Sequence, residues 1–179
     1  MTTKKARLLW VDLEMTGLEP SEDKITEVGV IATDFDFETV ATYQTAVQVD
    51  KELMNRRMTG EFWDKNDATR QALIANSTAE TAKSSAEVQS ELIDFIQRHF
   101  DTNQPIYLAG NSVYMDRKFI EKEWPELNKL LHYRLLDVSS WKIVFAEKGI
   151  SYTKPELHRA MSDIEGSIGE LKYYLGKVK

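Results

Sequence analysis

The segment RLLWVDLEM at residues 7–15 decides the fold class of this chain. It is rich in apolar and aromatic residues, and this composition predicts a β-strand. Side chains of a strand alternate between its two faces, so Asp12 and Glu14 share a face with Leu8 and Trp10. Burial of two unpaired carboxylates is costly unless a cation or a proton compensates. The pair therefore indicates either a strand end that has reached solvent or a site that holds a cation.

Two further strand-like segments follow, ITEVGVIAT at residues 25–33 and VATYQTAVQV at residues 40–49. The short connections between the three segments predict an antiparallel meander. From about residue 61 the apolar residues recur at helical spacing, and Ser84 with Glu87 forms a capping-box signature. A long helix is therefore predicted to follow the meander.

The second half of the chain alternates strands and helices. PIYLAGN at residues 105–111 is predicted to be a buried strand that leads into a helix over residues 112–124. YRLLDV at residues 133–138 repeats the same step, and a last helix is predicted over about residues 162–174. A meander followed by β–α–β–α units predicts an α/β fold, with a mixed five-stranded sheet flanked by helices, in a single domain over residues 1–179.

Composition narrows the classes of function. The 179 residues include no cysteine and three histidines, and the net charge is −6. Without cysteine there is no disulfide framework, Cys-ligated zinc, iron–sulfur cluster or thiol nucleophile, so a metal must be held mainly by carboxylates. The acidic balance lacks the basic footprint of proteins that wrap duplex DNA, although a short nucleic acid could bind. The N-terminal apolar run is too short for a signal peptide or a membrane span, and we expect a cytoplasmic protein.

Carboxylates recur at two later helix starts. Asp116 is the one charged member of an otherwise apolar helical stripe, and Asp163 opens the last helix shortly after His158. Each of them alone is explained by the positive end of a helix dipole. Their recurrence at strand-to-helix junctions, where open α/β sheets bind ligands, favours a functional site.

The chemistry of these residues fits a metal site. The four candidate ligands are Asp12, Glu14, Asp116 and Asp163. Carboxylate oxygens are the ligands that Mg²⁺ or Mn²⁺ prefers, and two such ions about 3.5–4 Å apart can activate a water and stabilise a leaving oxygen in phosphoryl displacement. His158 is the candidate general base, because a reference pKa of about 6.5 suits proton removal from that water. A glycosidase that uses Asp12 and Glu14 is an alternative, but it leaves His158 without a role.

These motifs resemble those of the DEDDh family of 3′→5′ exonucleases. The wider segments that are similar to the oligoribonuclease branch of this family are WVDLEMTGL (10–18), GNSV (110–113), HYRLLDVSS (132–140) and HRAMSDI (158–164). The resemblance implies a ribonuclease H-like fold, a homodimer and two divalent cations, Mg²⁺ or Mn²⁺. It also implies degradation of short RNA oligonucleotides, dinucleotides above all, to nucleoside 5′-monophosphates.

The same resemblance implies roles for residues outside the acidic group. The positions implied to seat the 3′-nucleotide are Met15, Thr16, Gly17 and Leu18. Leu18 would act as an apolar wedge between bases. Ser112, Arg134 and Ser139 match residues that cap the 5′ phosphate, and Tyr133 matches a tyrosine that is contributed to the catalytic site across the dimer interface. A groove closed at one end in this way favours two nucleotides over long chains.

The chain departs from the family pattern after the third strand. Relatives usually carry a histidine there that stacks on the 5′ base, whereas residues 50–80 contain none, so Trp63 and Asn66 are candidates for this contact. A core position or a dimer contact is the favoured prediction for Trp63 itself. A general DEDDh exonuclease that acts on longer single-stranded RNA or DNA is the alternative within the family. A catalytically idle nucleotide-binding module is a further alternative, which the retention of all five catalytic positions disfavours.

Overall fold

The structure is a computed structural model that describes residues 5–153 and 159–178. Its strands are β1 (Leu8–Met15), β2 (Ile25–Thr33), β3 (Thr39–Ala46), β4 (Tyr107–Gly110) and β5 (Leu135–Asp137). Its helices are α1 (Lys51–Arg57), α2 (Glu61–Lys65), α3 (Asp67–Ser77), α4 (Ser85–His99), α5 (Tyr114–Glu123), α6 (Pro125–Asn128), α7 (Val138–Ala146) and α8 (Ala160–Leu175). The predicted α/β class is therefore confirmed.

The strands form one mixed sheet in the order β3-β2-β1-β4-β5. β1 pairs antiparallel with β2, and β2 pairs antiparallel with β3, as the predicted meander requires. β4 runs parallel to both β1 and β5, so the carboxyl ends of β1, β4 and β5 meet at one edge of the sheet. This is the edge at which open α/β sheets bind their ligands.

Helices cover both faces of the sheet. On one face Leu9, Val11 and Leu13 of β1 join a large core with side chains of α4 and α5. On the other face Leu8 and Trp10 pack against apolar side chains of α8. Because side chains alternate along a strand, the next two positions on the α8 side of β1 carry its two carboxylates. The predicted shared face is confirmed.

The pattern of apolar residues predicted α4, α5, α7 and α8, and it missed α1, α2, α3 and α6. The capping box of α4 is present, with Ser84 as its N-cap and Glu87 closing it. The helices α1 to α3 fill the segment after β3, and they bury a small separate core that includes Met54, Trp63 and Leu73. No helix in the described part of the chain is long and apolar enough to cross a membrane.

Candidate active site

Three carboxylates converge at the carboxyl end of β1. Asp12 and Glu14 of β1 and Asp163 of α8 each offer an oxygen, and these oxygens all lie within 4.8 Å of one another. The strand alternation and the packing of α8 on the same face bring them together. Asp163 lies in the first turn of α8, where its Oδ2 accepts a hydrogen bond from the backbone N of Arg159 at 3.2 Å. Such a set of hard oxygen donors fits a divalent cation that keeps some of its waters.

Asp116, the fourth predicted ligand, approaches from the opposite face of the sheet. It lies in the first turn of α5, is only 6% exposed, and its Oδ1 accepts from the backbone N of Leu13 at 2.9 Å. The pairing of β4 with β1 covers only the positions up to Trp10, which leaves the amide of Leu13 available to this carboxylate. Burial, and then the charge of Asp12, raise the pKa of Asp116 well above its ordinary value.

Glu14 is also poorly stabilised as an anion. Burial, and then the charges of Asp12, Glu27 and Asp163, raise the pKa of Glu14 from 4.5 to about 8, although Arg159 lowers it in part. At neutral pH this carboxyl group therefore holds a proton in the absence of a cation. Because a metal binds the deprotonated carboxylate, metal binding at this site releases that proton.

Glu27 is a buried acid beside the cluster that the sequence analysis did not identify. It lies on β2 directly opposite Glu14 in the strand register. Its Oε2 accepts from Nη2 of Arg159 at 3.2 Å, and its Oε1 accepts from Nε2 of Gln44 at 3.1 Å. The signal was available, because Glu27 is the one charged residue in the apolar segment of β2. The ion pair fastens the start of α8 to the sheet.

His158, the predicted general base, lies outside the described residues. Its neighbour Arg159 is the first described residue after the gap and bonds both to Asp163 and to Glu27. The chain at residue 159 is thus held at the acidic cluster, while the role of His158 stays a prediction.

Two of the predicted phosphate-binding residues meet at the ends of β4 and β5. The Oγ atoms of Ser112 and Ser139 lie 3.0 Å apart, and the backbone N of Ser112 donates to Oγ of Ser139 at 2.7 Å. Asp137, the N-cap of α7, accepts from the backbone N of both serines at 3.0 and 2.9 Å. Ser112 has a φ of 49°, a left-handed conformation that costs a non-glycine residue roughly 1–3 kcal/mol. Strain held in place by several hydrogen bonds is typical of binding sites.

Arg134 and Tyr133 lie at the other end of β5. The guanidinium of Arg134 stacks on the ring of Tyr133, 4.8 Å from its centroid, and Tyr133 is 71% exposed. Arg134 also lines a cavity of about 260 Å³ together with Phe35 and Tyr107. Within one chain the structure thus brings Ser112 and Ser139 together, while the contacts described for Arg134 are with this aromatic group.

The loop after β1 is built around a buried acid. Asp23 accepts hydrogen bonds from Oγ1 of Thr16 at 2.9 Å and from Nε of Arg57 at 2.7 Å. A side chain at Gly17 would place its Cβ only 2.5 Å from Oδ2 of Asp23, so the close approach requires glycine there. Leu18 is 69% exposed at the tip of the loop. An exposed leucine on an ordered loop is what the predicted wedge between bases needs.

Comparison with known proteins agrees with this geometry. Residues 9–171 match the RNase_T family, described as exonuclease. A probable oligoribonuclease of Caenorhabditis elegans is 38% identical over 173 residues, which cover 94% of this chain and 86% of that protein. The oligoribonuclease of Idiomarina loihiensis is 36% identical over 176 residues, which cover 96% and 93%. The chain belongs to the oligoribonuclease family.

Solved structures support the fold of this family member. A zinc-bound complex of Escherichia coli exonuclease I with single-stranded DNA matches with a TM-score of 0.67 at 13% identity. The match covers 97% of this chain and 41% of that one, so this chain spans about two fifths of exonuclease I. The predicted ribonuclease H-like exonuclease fold is confirmed, and membership in the oligoribonuclease family confirms the predicted hydrolytic class.

The structure decides between the two predictions for Trp63, which lies where this oligoribonuclease-family chain departs from the family pattern. Trp63 is only 7% exposed and packs in the small core under α1 to α3. Asn66 donates from Nδ2 to the backbone O of Phe62 at 2.8 Å. Phe62 is exposed and lies edge-on to Trp63, with ring centroids 5.0 Å apart. Burial therefore removes Trp63 as a stacking platform, and the exposed ring in this segment belongs to Phe62.

Proposed function

We propose that this chain is a 3′→5′ exoribonuclease that degrades short oligoribonucleotides, dinucleotides above all, to nucleoside 5′-monophosphates. The observation that carries the proposal is the convergence of the Asp12, Glu14 and Asp163 oxygens within 4.8 Å, in a chain that belongs to the oligoribonuclease family. The net charge of −6 favours a short substrate over a DNA duplex, because a dinucleotide needs no long basic track.

The acidic cluster is the proposed site of two divalent cations, Mg²⁺ or Mn²⁺. Asp12, Glu14 and Asp163 would hold them, and Asp116 would complete the set from the opposite face of the sheet. When bound, such cations activate a water and stabilise charge on the leaving oxygen. The chain itself contributes the carboxylates, which are held in place by the amide of Leu13 on Asp116 and the amide of Arg159 on Asp163.

Proton removal from the attacking water is assigned to His158. The support is its place in the chain, directly before Arg159, which is fastened to Glu27 and to Asp163 at the acidic cluster. An imidazole titrates near pH 6.5, so it can accept this proton at about neutral pH. After cleavage the imidazolium returns the proton to solvent, and the departing 3′ oxygen takes up a proton from solvent to become the hydroxyl.

Substrate contacts are assigned to two places around this centre. Met15 and Gly17 would seat the 3′-nucleotide, and the exposed Leu18 would separate the two bases. Thr16, which is fully buried and donates to Asp23, would support this loop from beneath. At the ends of β4 and β5, the Ser112 and Ser139 hydroxyls would donate hydrogen bonds to the 5′ phosphate. Hydrogen bonds to a charged phosphate are stronger than those between neutral groups, which supports this pair as the end of the groove.

A homodimer would complete the cap. Several apolar side chains near β5 and α7 are exposed, namely Tyr133 before β5 and Ile143 and Val144 of α7. Trp141 and Phe145 of α7 also line an apolar cavity of about 320 Å³. Contiguous exposed apolar side chains are typical of interfaces. Within one chain, Arg134 and Tyr133 lie before the start of β5, whereas the serine pair lies after its end. In a dimer they would instead contact the 5′ phosphate of a substrate bound to the partner subunit. The mass in solution, measured by light scattering, tests the dimer, and a monomer would contradict it.

A time course on 5′-labelled RNA of two, three, five and ten nucleotides tests the function. We expect the dinucleotide to be the fastest substrate with Mg²⁺ or Mn²⁺, and no cleavage with a chelator. The reason is that the serine pair ends the groove, so that longer chains fit less well. Preference for the ten-nucleotide RNA would contradict the dinucleotide specificity and favour a general exonuclease. Cleavage that persists with the chelator would contradict the metal site.

A further inference from the structure

The side chain of Asn111, directly after β4, connects two helices. Its Nδ2 donates to Oγ of Ser167 at 2.9 Å and to Oε2 of Glu170 at 3.0 Å, both on α8. Its Oδ1 accepts from Oγ of Ser139 on α7 at 3.3 Å. Both amide hydrogens and the carbonyl oxygen are therefore engaged. Asn111 thus holds the end of β4, the first turn of α7 and the middle of α8 together.

On the α8 side, the contacts lead to a proposed metal ligand. Ser167 accepts from Asn111 and donates to the backbone O of Asp163 at 2.8 Å. Glu170 is buried, and its other oxygen accepts from the hydroxyl of Tyr174 at 3.0 Å. Because Ser167 and Glu170 are both buried, water replaces the Asn111 amide only at a cost. The amide therefore fixes the end of β4 against the helix that carries Asp163.

On the α7 side, Asn111 orders the serine hydroxyls. Oγ of Ser139 accepts from the backbone N of Ser112 at 2.7 Å and has one proton to donate. The carbonyl of Asn111 accepts that proton, which leaves Oγ of Ser139 as the acceptor for the hydroxyl of Ser112 at 3.0 Å. The Ser139 to Asn111 bond is the longest of these, so it is the first to give way to a phosphate oxygen. Asn111 thereby presets the direction of both hydroxyls.

We infer that Asn111 is a positioning residue that sets the separation between the serine pair and the acidic cluster, and with it the preferred length of the substrate. This inference rests on the proposed function. A dinucleotide places its scissile phosphate at the carboxylates and its 5′ phosphate at the serines, so a fixed separation selects it. An RNA that continues past the serines does not use their contact with a terminal phosphate, and it is less sensitive to their position.

The test compares Asn111→Ala with wild type on a 5′-phosphorylated dinucleotide and a five-nucleotide RNA at saturating Mg²⁺. We expect kcat/KM for the dinucleotide to fall about tenfold, mainly through KM, because the hydrogen bond to Ser139 and the two bonds that hold the end of β4 to α8 are lost. The loss on the longer RNA should stay within about threefold by the same argument. The control is Asn103→Ala, since among the described residues the Asn103 side chain bonds only to Asp101 in an exposed turn, and kcat/KM for both substrates should stay unchanged. Equal losses on the two RNAs would overturn the inference.

A second variant separates positioning from simple loss of stability. If Asn111 acts through Ser139, then Asn111→Ala combined with Ser139→Ala should cost the dinucleotide no more than Ser139→Ala alone. Additive losses would overturn the inference. Where Asn111→Ala does not fold, Ser167→Ala keeps Asn111 and breaks its link to α8, and the same loss confined to the dinucleotide is expected. Equal losses from Ser167→Ala on both RNAs would overturn the inference.

Failure of the inference and failure of the function are distinguishable. A wild-type protein that prefers the dinucleotide, together with variants that lose both substrates equally, would overturn the role of Asn111 and leave the function in place. A wild-type protein without this preference would overturn the dinucleotide specificity, and the role of Asn111 would fall with it.

Discussion

Two acidic groups lie close to the carboxyl end of β1, namely Asp23 and the cluster of Asp12, Glu14 and Asp163, and they differ in how their negative charge is stabilised. Asp23, in the loop after β1, is only 1% exposed. Burial raises its pKa, but hydrogen bonds from Arg57, from the backbone of Glu19 and from Thr16 outweigh burial and hold the pKa of Asp23 below its ordinary value. The Nε and Nη2 atoms of Arg57 contact the two oxygens of Asp23 at 2.7 and 3.0 Å. The first group thus carries its own cation.

The cluster of Asp12, Glu14 and Asp163 is different. There burial and the neighbouring carboxylates raise the pKa of Glu14 to about 8, and the nearby Arg159 is directed at Glu27. The fold satisfies Asp23 with a bidentate arginine and leaves Glu14 poorly stabilised as an anion, which favours a cluster that takes up a cation from solution. Acids with strongly raised pKa values are frequent at functional sites for this reason.

The largest effect should come from a ligand of the cluster. We expect Asp163→Ala or Asp12→Ala to lower kcat on RNA by about a thousandfold or more, because several kcal/mol of charge stabilisation is lost and each 1.4 kcal/mol is about tenfold. The measurement is turnover at saturating Mg²⁺. Asp64→Ala, at an exposed aspartate of α2, is the matched control and should keep wild-type turnover. Activity of Asp163→Ala within tenfold of wild type would contradict the metal assignment.

The next effect concerns the acid that carries its own cation. Arg57→Met should lower the free energy of unfolding, because it leaves the carboxylate of Asp23 buried without its partner. Denaturant unfolding with and without Mg²⁺ measures this, and the difference from wild type should be the same in both. Arg98→Met is the control, since it breaks an ion pair of 3.6 Å between two exposed side chains, Arg98 and Asp94, and exposed ion pairs contribute little to stability. If Mg²⁺ restored the stability of Arg57→Met, Asp23 would also be a metal site, and the contrast between the two acidic groups would fail.

The sequence predicted the acidic cluster because the rule behind it is local. Side chains alternate strictly along a strand, so the shared face of Asp12 and Glu14 followed from the pattern of β1 alone. The helices α1 to α3 were missed because packing of Met54 and Trp63 into their own small core decides them, and that core depends on the tertiary structure.

The sequence pattern could not predict contacts between residues that are far apart in the chain. The partners of Asn111 on α8 are more than 50 residues away in the chain, and Glu27 is 132 residues away in the chain from its partner Arg159. Sequence similarity placed Arg134 with the serines, whereas the geometry of a single chain stacks it on Tyr133. The local sequence shows which residues share a motif, but the tertiary structure determines which of them are in contact.

The smallest expected effect is on the pH dependence of stability without metal. The pKa of Glu14 is about 8 in the folded chain against 4.5 in a model peptide, so unfolding releases a proton between these values. The free energy of unfolding should therefore fall as pH rises from about 4.5 to 8, by linkage. We expect the melting temperature in chelator to decrease across this window, and Glu14→Gln to flatten the decrease.

Metal should reverse this trend, because it competes with the proton at Glu14. With Mg²⁺ the stabilisation should grow as pH rises toward 8, since fewer protons must be displaced for the cation to bind. Asp23 gives the opposite slope, because its lowered pKa adds stability above its ordinary value of 3.8 and loses it only in acid. A melting temperature in chelator that rises between about pH 5 and 8 would mean that the cluster is already neutralised from within, as Asp23 is, and the contrast between the two groups would fail.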